Sequence, residues 1–64
     1  MADLNLTPNI EGADDFYAQL LAAHEGLSTE DSQALNARLI LVLSNHIGDR
    51  ETLTQALAAA ALKT

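Results

Sequence analysis

The sequence has 64 residues, no cysteine, and nine acidic against three basic side chains, which gives a formal net charge of −6 at pH 7. A chain of this length forms at most one domain, and the lack of cysteine excludes disulfides and thiolate metal sites. The negative charge opposes phosphate backbones and anionic lipid surfaces, so we expect neither a nucleic-acid nor a membrane partner.

Residues 1–11 are predicted to form an extended arm. Pro8 disfavours helical geometry at Thr7. We expect the arm to dock in cis or onto a neighbouring chain, and a frayed terminus is the alternative. The segment has neither a basic start nor an apolar run, so it lacks the pattern of a secretory signal, and we expect a cytoplasmic protein. The large aliphatic side chains that would anchor the arm are Leu4, Leu6 and Ile10.

Residues 12–64 are predicted to form a helical domain. The first helix should run from about Ala13 to His24. Gly26 is expected to stop it in a left-handed conformation, with Leu27 as the closing contact of a Schellman motif. At about 100° per residue, its apolar face would consist of Phe16, Tyr17, Leu20, Leu21, Ala23 and His24.

The second helix is predicted to follow Ser28 as N-cap and to end near His46, before Gly48. The third is predicted to begin at a second N-cap, Asp49, and to continue through Leu62. Short loops make successive helices antiparallel, so the predicted fold is all-α, a three-helix hairpin or up-down-up bundle with an extended N-terminal arm. The inward face of the third helix would be Leu53, Ala56, Leu57, Ala60 and Ala61.

The second helix carries more apolar surface than its neighbours are expected to cover. Most of its apolar side chains span about 160° of the helical wheel, whereas a surface helix needs roughly 100°. We therefore predict that the protein is an interaction module, either a homodimer or an accessory subunit of a cytoplasmic enzyme. A monomer whose three helices bury every apolar side chain is the alternative. The predicted interaction surface is Leu35, Leu39, Ile40, Leu41, Val42, Leu43 and Ile47.

If the second helix forms the core, replacing Leu39 by alanine should lower the free energy of unfolding by about 2–5 kcal/mol.

Asn36 falls inside the apolar arc, where it either bonds a backbone group or sets the register of a helix pair. His46 is expected to cap the last carbonyls of the helix. Arg38 should form a salt bridge or hydrogen bond with the first helix. Its expected partners there are Asp14, Asp15 and Tyr17.

No pattern in the chain indicates catalysis. There is no glycine-rich phosphate loop, no Ser-His-Asp spacing and no pair of carboxylates on an inner face. We therefore expect neither enzymatic activity nor a cofactor.

Two alternatives to an interaction module stay open. Asp31-Ser32 resembles the Asp-Ser-Leu attachment site of acyl carrier proteins, which would make Ser32 a modified residue, although here the leucine follows only at position 35. His24 and His46 are expected about a helix length apart, so they would bind a metal only between two chains, with an acidic residue as further ligand.

Five segments of the chain together resemble a small family of bacterial proteins, mostly proteobacterial, that is known as a domain of unknown function. The resemblance covers nearly the full length and carries no catalytic residue. Members of that family look like companions of aromatic-degradation genes, including flavin-dependent ring hydroxylases, so the resemblance implies an accessory role beside an oxidoreductase. The segments are Pro8-Asn9-Ile10, Asp14-Asp15-Phe16-Tyr17, His24-Glu25-Gly26-Leu27-Ser28, Leu35-Asn36-Ala37-Arg38-Leu39 and Asn45-His46-Ile47-Gly48-Asp49.

Overall fold

The computed structural model describes residues 3–62. Residues 1–2 of the predicted arm and residues 63–64 of the predicted helical domain therefore lie outside the described part. Three α-helices follow an extended segment, which confirms the all-α prediction. The first helix has the predicted bounds, the second ends one residue later than predicted, and the third ends two residues earlier. None of the three is long and apolar enough to cross a bilayer. The helices are α1 (Ala13–His24), α2 (Thr29–Ile47) and α3 (Arg50–Ala60).

The predicted N-caps hold the starts of α2 and α3. The Ser28 hydroxyl oxygen accepts a hydrogen bond from the backbone N–H of Asp31 at 3.1 Å. In the same way, the Asp49 carboxylate accepts from the backbone N–H of Thr52 at 2.8 Å. Each bond satisfies one of the N–H groups that a helix start leaves without an intrahelical acceptor. By contrast, α1 starts after Gly12, which has no side chain to cap it.

The end of α2 is the predicted glycine stop. Gly48 adopts a left-handed conformation with φ 73°, and its N–H donates to the carbonyl of Ser44 at 2.9 Å. This is the single-bond left-handed cap of a helix C-terminus. It lets the chain leave α2 and enter α3 within two residues.

The end of α1 differs from the predicted Schellman motif. Glu25 is extended (φ −61°, ψ 130°) and Gly26 has φ 79°, while the N–H of Leu27 donates to the carbonyl of His24 at 3.1 Å. These angles define a type II turn over residues 24–27, which requires positive φ at its third residue. The predicted left-handed glycine is therefore confirmed, but it serves a turn because the chain reverses one residue earlier than a Schellman motif would allow.

The cap of α3 predicts a pH effect on stability. Hydrogen bonds from the Thr52 hydroxyl, at 2.6 Å, and from the Thr52 backbone N–H lower the pKa of Asp49 below its ordinary value of 3.8. A depressed folded-state pKa stabilises the folded chain above the unfolded value, and this contribution is lost as the pH falls through the folded pKa. We expect Asp49→Asn to lose helical signal near neutral pH and to match the wild type at the acid end of the titration. Circular dichroism of both proteins from neutral pH to below 3.8 measures this, and a constant difference across that range would contradict it.

The packing between the helices is loose. No residue between positions 3 and 62 is buried, and no two helices run close together over more than a residue or two. The radius of gyration is 13.6 Å, against about 10.7 Å for a compact domain of this length. The three helices of one protomer therefore do not enclose a hydrophobic core within the described residues.

The inward face predicted for α3 is correct only in its first half. Leu53 and Ala56 are half-buried, but Leu57 is 71% exposed and the alanines at positions 60 and 61 are exposed. Burial on α3 stops at Ala56 because the second half of the helix has no neighbouring element to pack against. The helical periodicity identified a face, but it could not show how far along the helix a neighbour extends.

Candidate functional site

The N-terminal half of α2 packs against α1. The two helices form an open apolar cleft of about 220 Å³. Leu35 and Leu39 of α2 are half-buried there, as is Leu20 of α1, whereas Phe16 remains 43% exposed at the mouth. The cleft is lined by Phe16, Gln19, Leu20, Ala23, Leu35 and Leu39. Two residues of the predicted interaction surface, Leu35 and Leu39, thus contribute to packing within the protomer.

The C-terminal part of α2, positions 40–47, is exposed except at Ser44. Its five large aliphatic side chains are between 48% and 70% exposed. They belong to the predicted interaction surface and are named here the α2 patch: Ile40, Leu41, Val42, Leu43 and Ile47. The patch exists because α1, with 12 residues, is shorter than α2, with 19, and because α3 does not fold back along α2.

The N-terminal arm docks in cis through one residue. The backbone N–H of Leu4 donates to the side-chain oxygen of Gln55 on α3 at 3.1 Å, and Leu4 is half-buried. The other two predicted anchors do not dock, since Leu6 is 77% exposed and Ile10 is exposed as well. The arm therefore ties α3 to the start of the chain and leaves two apolar side chains free.

The shape of the arm follows from a local turn. The Asn5 side-chain oxygen accepts from the backbone N–H of Thr7 at 2.9 Å and from its hydroxyl at 2.6 Å. An asparagine that bonds the backbone two residues later imitates a turn, and Pro8 then holds the chain extended. The curled segment encloses a wide, open concavity of about 520 Å³, lined by residues 5–10 and Ala13.

The arm contact gives a direct prediction. Gln55→Ala removes the only acceptor that binds the Leu4 N–H in the described chain, so the arm should detach. We expect hydrogen exchange of the Leu4 amide to become about fivefold faster, because a hydrogen bond contributes on the order of 1 kcal/mol. Exchange at Leu39 in α2 serves as the internal control and should not change. Equal protection of Leu4 in both proteins would show that Gln55 does not hold the arm.

The predicted polar determinants all lie on the surface. Asn36, Arg38 and His46 are exposed. The expected salt bridge of Arg38 to Asp14 or Asp15 is absent from the described residues, and none of the three side chains has a hydrogen bond there. The prediction for Arg38 is therefore wrong, and so is the cap expected from His46. The expectation for Arg38 assumed close antiparallel packing of α1 and α2, which the loose arrangement does not provide, whereas the cap expected from His46 concerned the carbonyls of its own helix.

His24 and His46, the candidate metal ligands, lie on different helices, and Ser32, the candidate attachment residue, lies near the start of α2. Among residues 3–62, no group of three histidine, aspartate or glutamate side chains is arranged to hold a metal ion. His24 is half-buried at the end of α1, whereas His46 is exposed at the far end of α2. Ser32 is half-buried in the first turns of α2.

Sequence reasoning missed Gln55 as the docking partner of the arm. The residue lies among half-buried neighbours, between Leu53 and Ala56. A polar side chain with two donors and one acceptor oxygen beside a predicted inward face was the available signal. This signal indicated that Gln55 bonds to a backbone group, but it did not indicate which segment of the chain supplies that group.

Comparisons with known proteins give one match. A family described as "Protein of unknown function (DUF2783)" matches residues 4–62. No curated protein and no solved structure matches the chain. The matched range includes the arm contact at Leu4, all three helices and the whole α2 patch. The chain therefore belongs to the DUF2783 family of proteins of unknown function.

Proposed function

We propose that the protein is a non-catalytic interaction module that binds another protein chain through the α2 patch. The observation that supports this proposal is the exposure of five large aliphatic side chains on one half of a single helix. Large aliphatic side chains exposed in this number on so short a segment are typical of a protein–protein contact.

The large accessible surface of the protomer supports the proposal that it binds a partner. The chain exposes 5791 Å², so it buries roughly 40% of the surface of its unfolded form, whereas a domain of about 60 residues buries roughly 60%. Small domains compensate for such a deficit with disulfides, metals or association. The chain has no cysteine, and association is the compensation that the α2 patch favours.

The expected gain from covering the patch is substantial. Full burial of a large aliphatic side chain stabilises by about 1.5–3 kcal/mol. The members of the patch are half to two-thirds exposed, so we expect about 1 kcal/mol from each and about 5 kcal/mol together. Association costs on the order of 4 kcal/mol or more. A tight complex therefore needs further contacts, and the exposed Leu6 of the arm and Leu21 of α1 are available for them.

The remaining parts of the proposal rest on the sequence. We propose a cytoplasmic location and no cofactor, and the resemblance to companions of oxidoreductase genes makes an accessory subunit one form that the module would take. The alternatives, an acyl-carrier-like protein modified at Ser32 and a metal-binding protein that uses His24 and His46, have no structural observation in their favour.

Site-specific photo-crosslinking in the native host tests the function. A photoreactive amino acid replaces Leu43 in the α2 patch, and in a matched control it replaces Glu30, which is exposed in the first turn of the same helix. We expect irradiation to give one discrete adduct from position 43 and none from position 30, with the adduct identified by mass spectrometry. No adduct at position 43, or the same adducts at both positions, would overturn the proposed function.

A further inference from the structure

One stripe of α2 has the spacing of a helix-pairing seam. Asn36, Ile40, Leu43 and Ile47 recur at intervals of four, three and four residues. At about 100° per residue they fall within an arc of about 60°, and all four are exposed. The intervals match alternate a and d positions of a coiled coil. We name these four residues the outer stripe; Asn45, which is exposed and lies at about 180° from Asn36, is on the opposite side of the helix.

The charge pattern distinguishes this stripe from the rest of the chain. Residues 32–48 contain no aspartate or glutamate, and Arg38 is their only lysine or arginine. All nine acidic residues lie before or after this segment. A basic partner that the acidic residues attract would bind elsewhere, whereas the outer stripe is complementary to another uncharged apolar stripe. A second copy of the chain supplies such a stripe without bringing acidic side chains into the contact.

The exposed area is sufficient for a dimer. A compact folded protein of 6.8 kDa exposes about 4,000 Å². The chain exposes 5791 Å², a surplus of about 1,800 Å². A stable interface of standard size buries about 800 Å² from each partner. The surplus of the whole chain exceeds the share that one protomer contributes to such an interface, so the outer stripe together with neighbouring exposed side chains can supply the contact.

We propose that the partner bound by the α2 patch is a second copy of this chain, with the outer stripes of the two α2 helices packed antiparallel across a twofold axis. This inference rests on the proposed function, because it names the partner of the same patch. An antiparallel pair aligns the helix dipoles favourably and separates the acidic first turns, which contain Glu30 and Asp31 in each copy. A parallel pair would bring those four carboxylates together.

The antiparallel arrangement fixes a register. With the axis between the middle positions of the stripe, Ile40 of one copy faces Leu43 of the other, and Asn36 faces Ile47. The last turn of a helix has carbonyl groups without intrahelical donors. The Asn36 amide would donate to those carbonyls in the second copy, which gives a polar residue within an apolar stripe a role in setting the register.

Sedimentation equilibrium of the full chain tests the dimer. We expect the wild type to have twice the 6.8 kDa protomer mass. Leu43→Glu places a charge in the contact and should raise the dissociation constant by about a hundredfold or more. Asn45→Glu, on the opposite side of the same helix and outside the α2 patch, is the matched control and should leave the dissociation constant within about threefold. A wild type that stays monomeric at millimolar concentration, or equal effects of the two substitutions, would overturn the proposal.

Disulfide trapping tests the register without a destabilising charge. The chain has no cysteine, so each variant has a single thiol, and every disulfide between chains joins the substituted positions. A mixture of Ile40→Cys and Leu43→Cys proteins should oxidise mainly to the mixed dimer, and Asn45→Cys alone should remain reduced. Faster oxidation of Ile40→Cys with itself would overturn the antiparallel register, and oxidation of Asn45→Cys at the same rate as the mixture would overturn the seam.

The experiments distinguish a failure of the proposed interaction function from a failure of the proposed dimer. If position 43 crosslinks in cells to a different protein while the purified chain is monomeric, the second copy is excluded and the interaction function stands. If position 43 gives no adduct and the purified chain is monomeric, both proposals fail. An adduct of the chain with itself, together with the mixed disulfide, supports both.

Discussion

Replacing Leu39 by alanine is expected to lower the free energy of unfolding by about 1–2.5 kcal/mol. Leu39 is half-buried in the cleft between α1 and α2, so it should lose about half of the 2–5 kcal/mol typical of a fully buried leucine. The larger loss expected from the sequence assumed a closed core, which one protomer does not form within residues 3–62. Urea denaturation followed by circular dichroism gives the value.

Leu41→Ala is the matched control for this measurement. It removes the same atoms from the same helix two residues away, but Leu41 is 70% exposed. Exposed substitutions of this kind change stability by about 0.5 kcal/mol or less. If Leu41→Ala costs as much as Leu39→Ala, then the α1–α2 cleft does not stabilise the protomer.

Gly48→Val is expected to destabilise the chain by about 2 kcal/mol or more. Gly48 has φ 73°, a left-handed conformation that costs an L-residue about 1–2 kcal/mol, and a β-branched residue more. A Cβ atom at this position would meet the carbonyl oxygen of Asn45 at 3.7 Å, which is an ordinary contact. The penalty therefore comes from the backbone and not from crowding. Thermal unfolding by circular dichroism measures it.

Gly48→Asn separates backbone strain from side-chain volume. Asparagine visits the left-handed region readily because its side chain bonds locally, so we expect this variant to lose less than half as much stability as the valine variant. Equal losses would mean that any side chain at the α2–α3 joint disturbs the fold, and that the left-handed angle is not the cause.

The helices could be predicted from the sequence because their ends depend on local chemistry. Ser28 and Asp49 cap the next helix with their own side chains, and Gly26 and Gly48 supply positive φ where the chain turns. Each of these effects acts within about four residues. The sequence therefore predicted the element order and located most helix ends to within two residues.

The packing of the helices could not be predicted in the same way. The periodicity of α3 marked Leu57 as inward, yet no neighbouring element reaches it. The predicted antiparallel arrangement placed Arg38 against the acidic start of α1, but Arg38 is exposed and forms no ion pair with residues 3–62. A helical wheel shows which side chains share a face, and it does not show whether another segment covers that face.

The sequence predicted that the candidate site is apolar, but it did not predict which of its residues are exposed. The run from Leu39 to Leu43 indicated excess apolar surface on α2, and the structure divides that run between a covered residue, Leu39, and exposed residues from Ile40 onward. The division depends on the length of α1 and on the direction of α3. Gln55 shows the same limit, because its partner lies 51 residues away along the chain.

The lack of buried side chains among residues 3–62 also bears on how the protomer responds to temperature. The heat capacity of unfolding arises mainly from newly hydrated apolar surface, about 12–15 cal/mol/K per residue in ordinary domains. A chain whose larger aliphatic side chains are mostly exposed when folded has less surface to hydrate on unfolding, so we expect its heat capacity of unfolding to fall below that range. Its stability curve is then flat and its melting broad, and a sharp calorimetric transition would have to come from dissociation of an assembly.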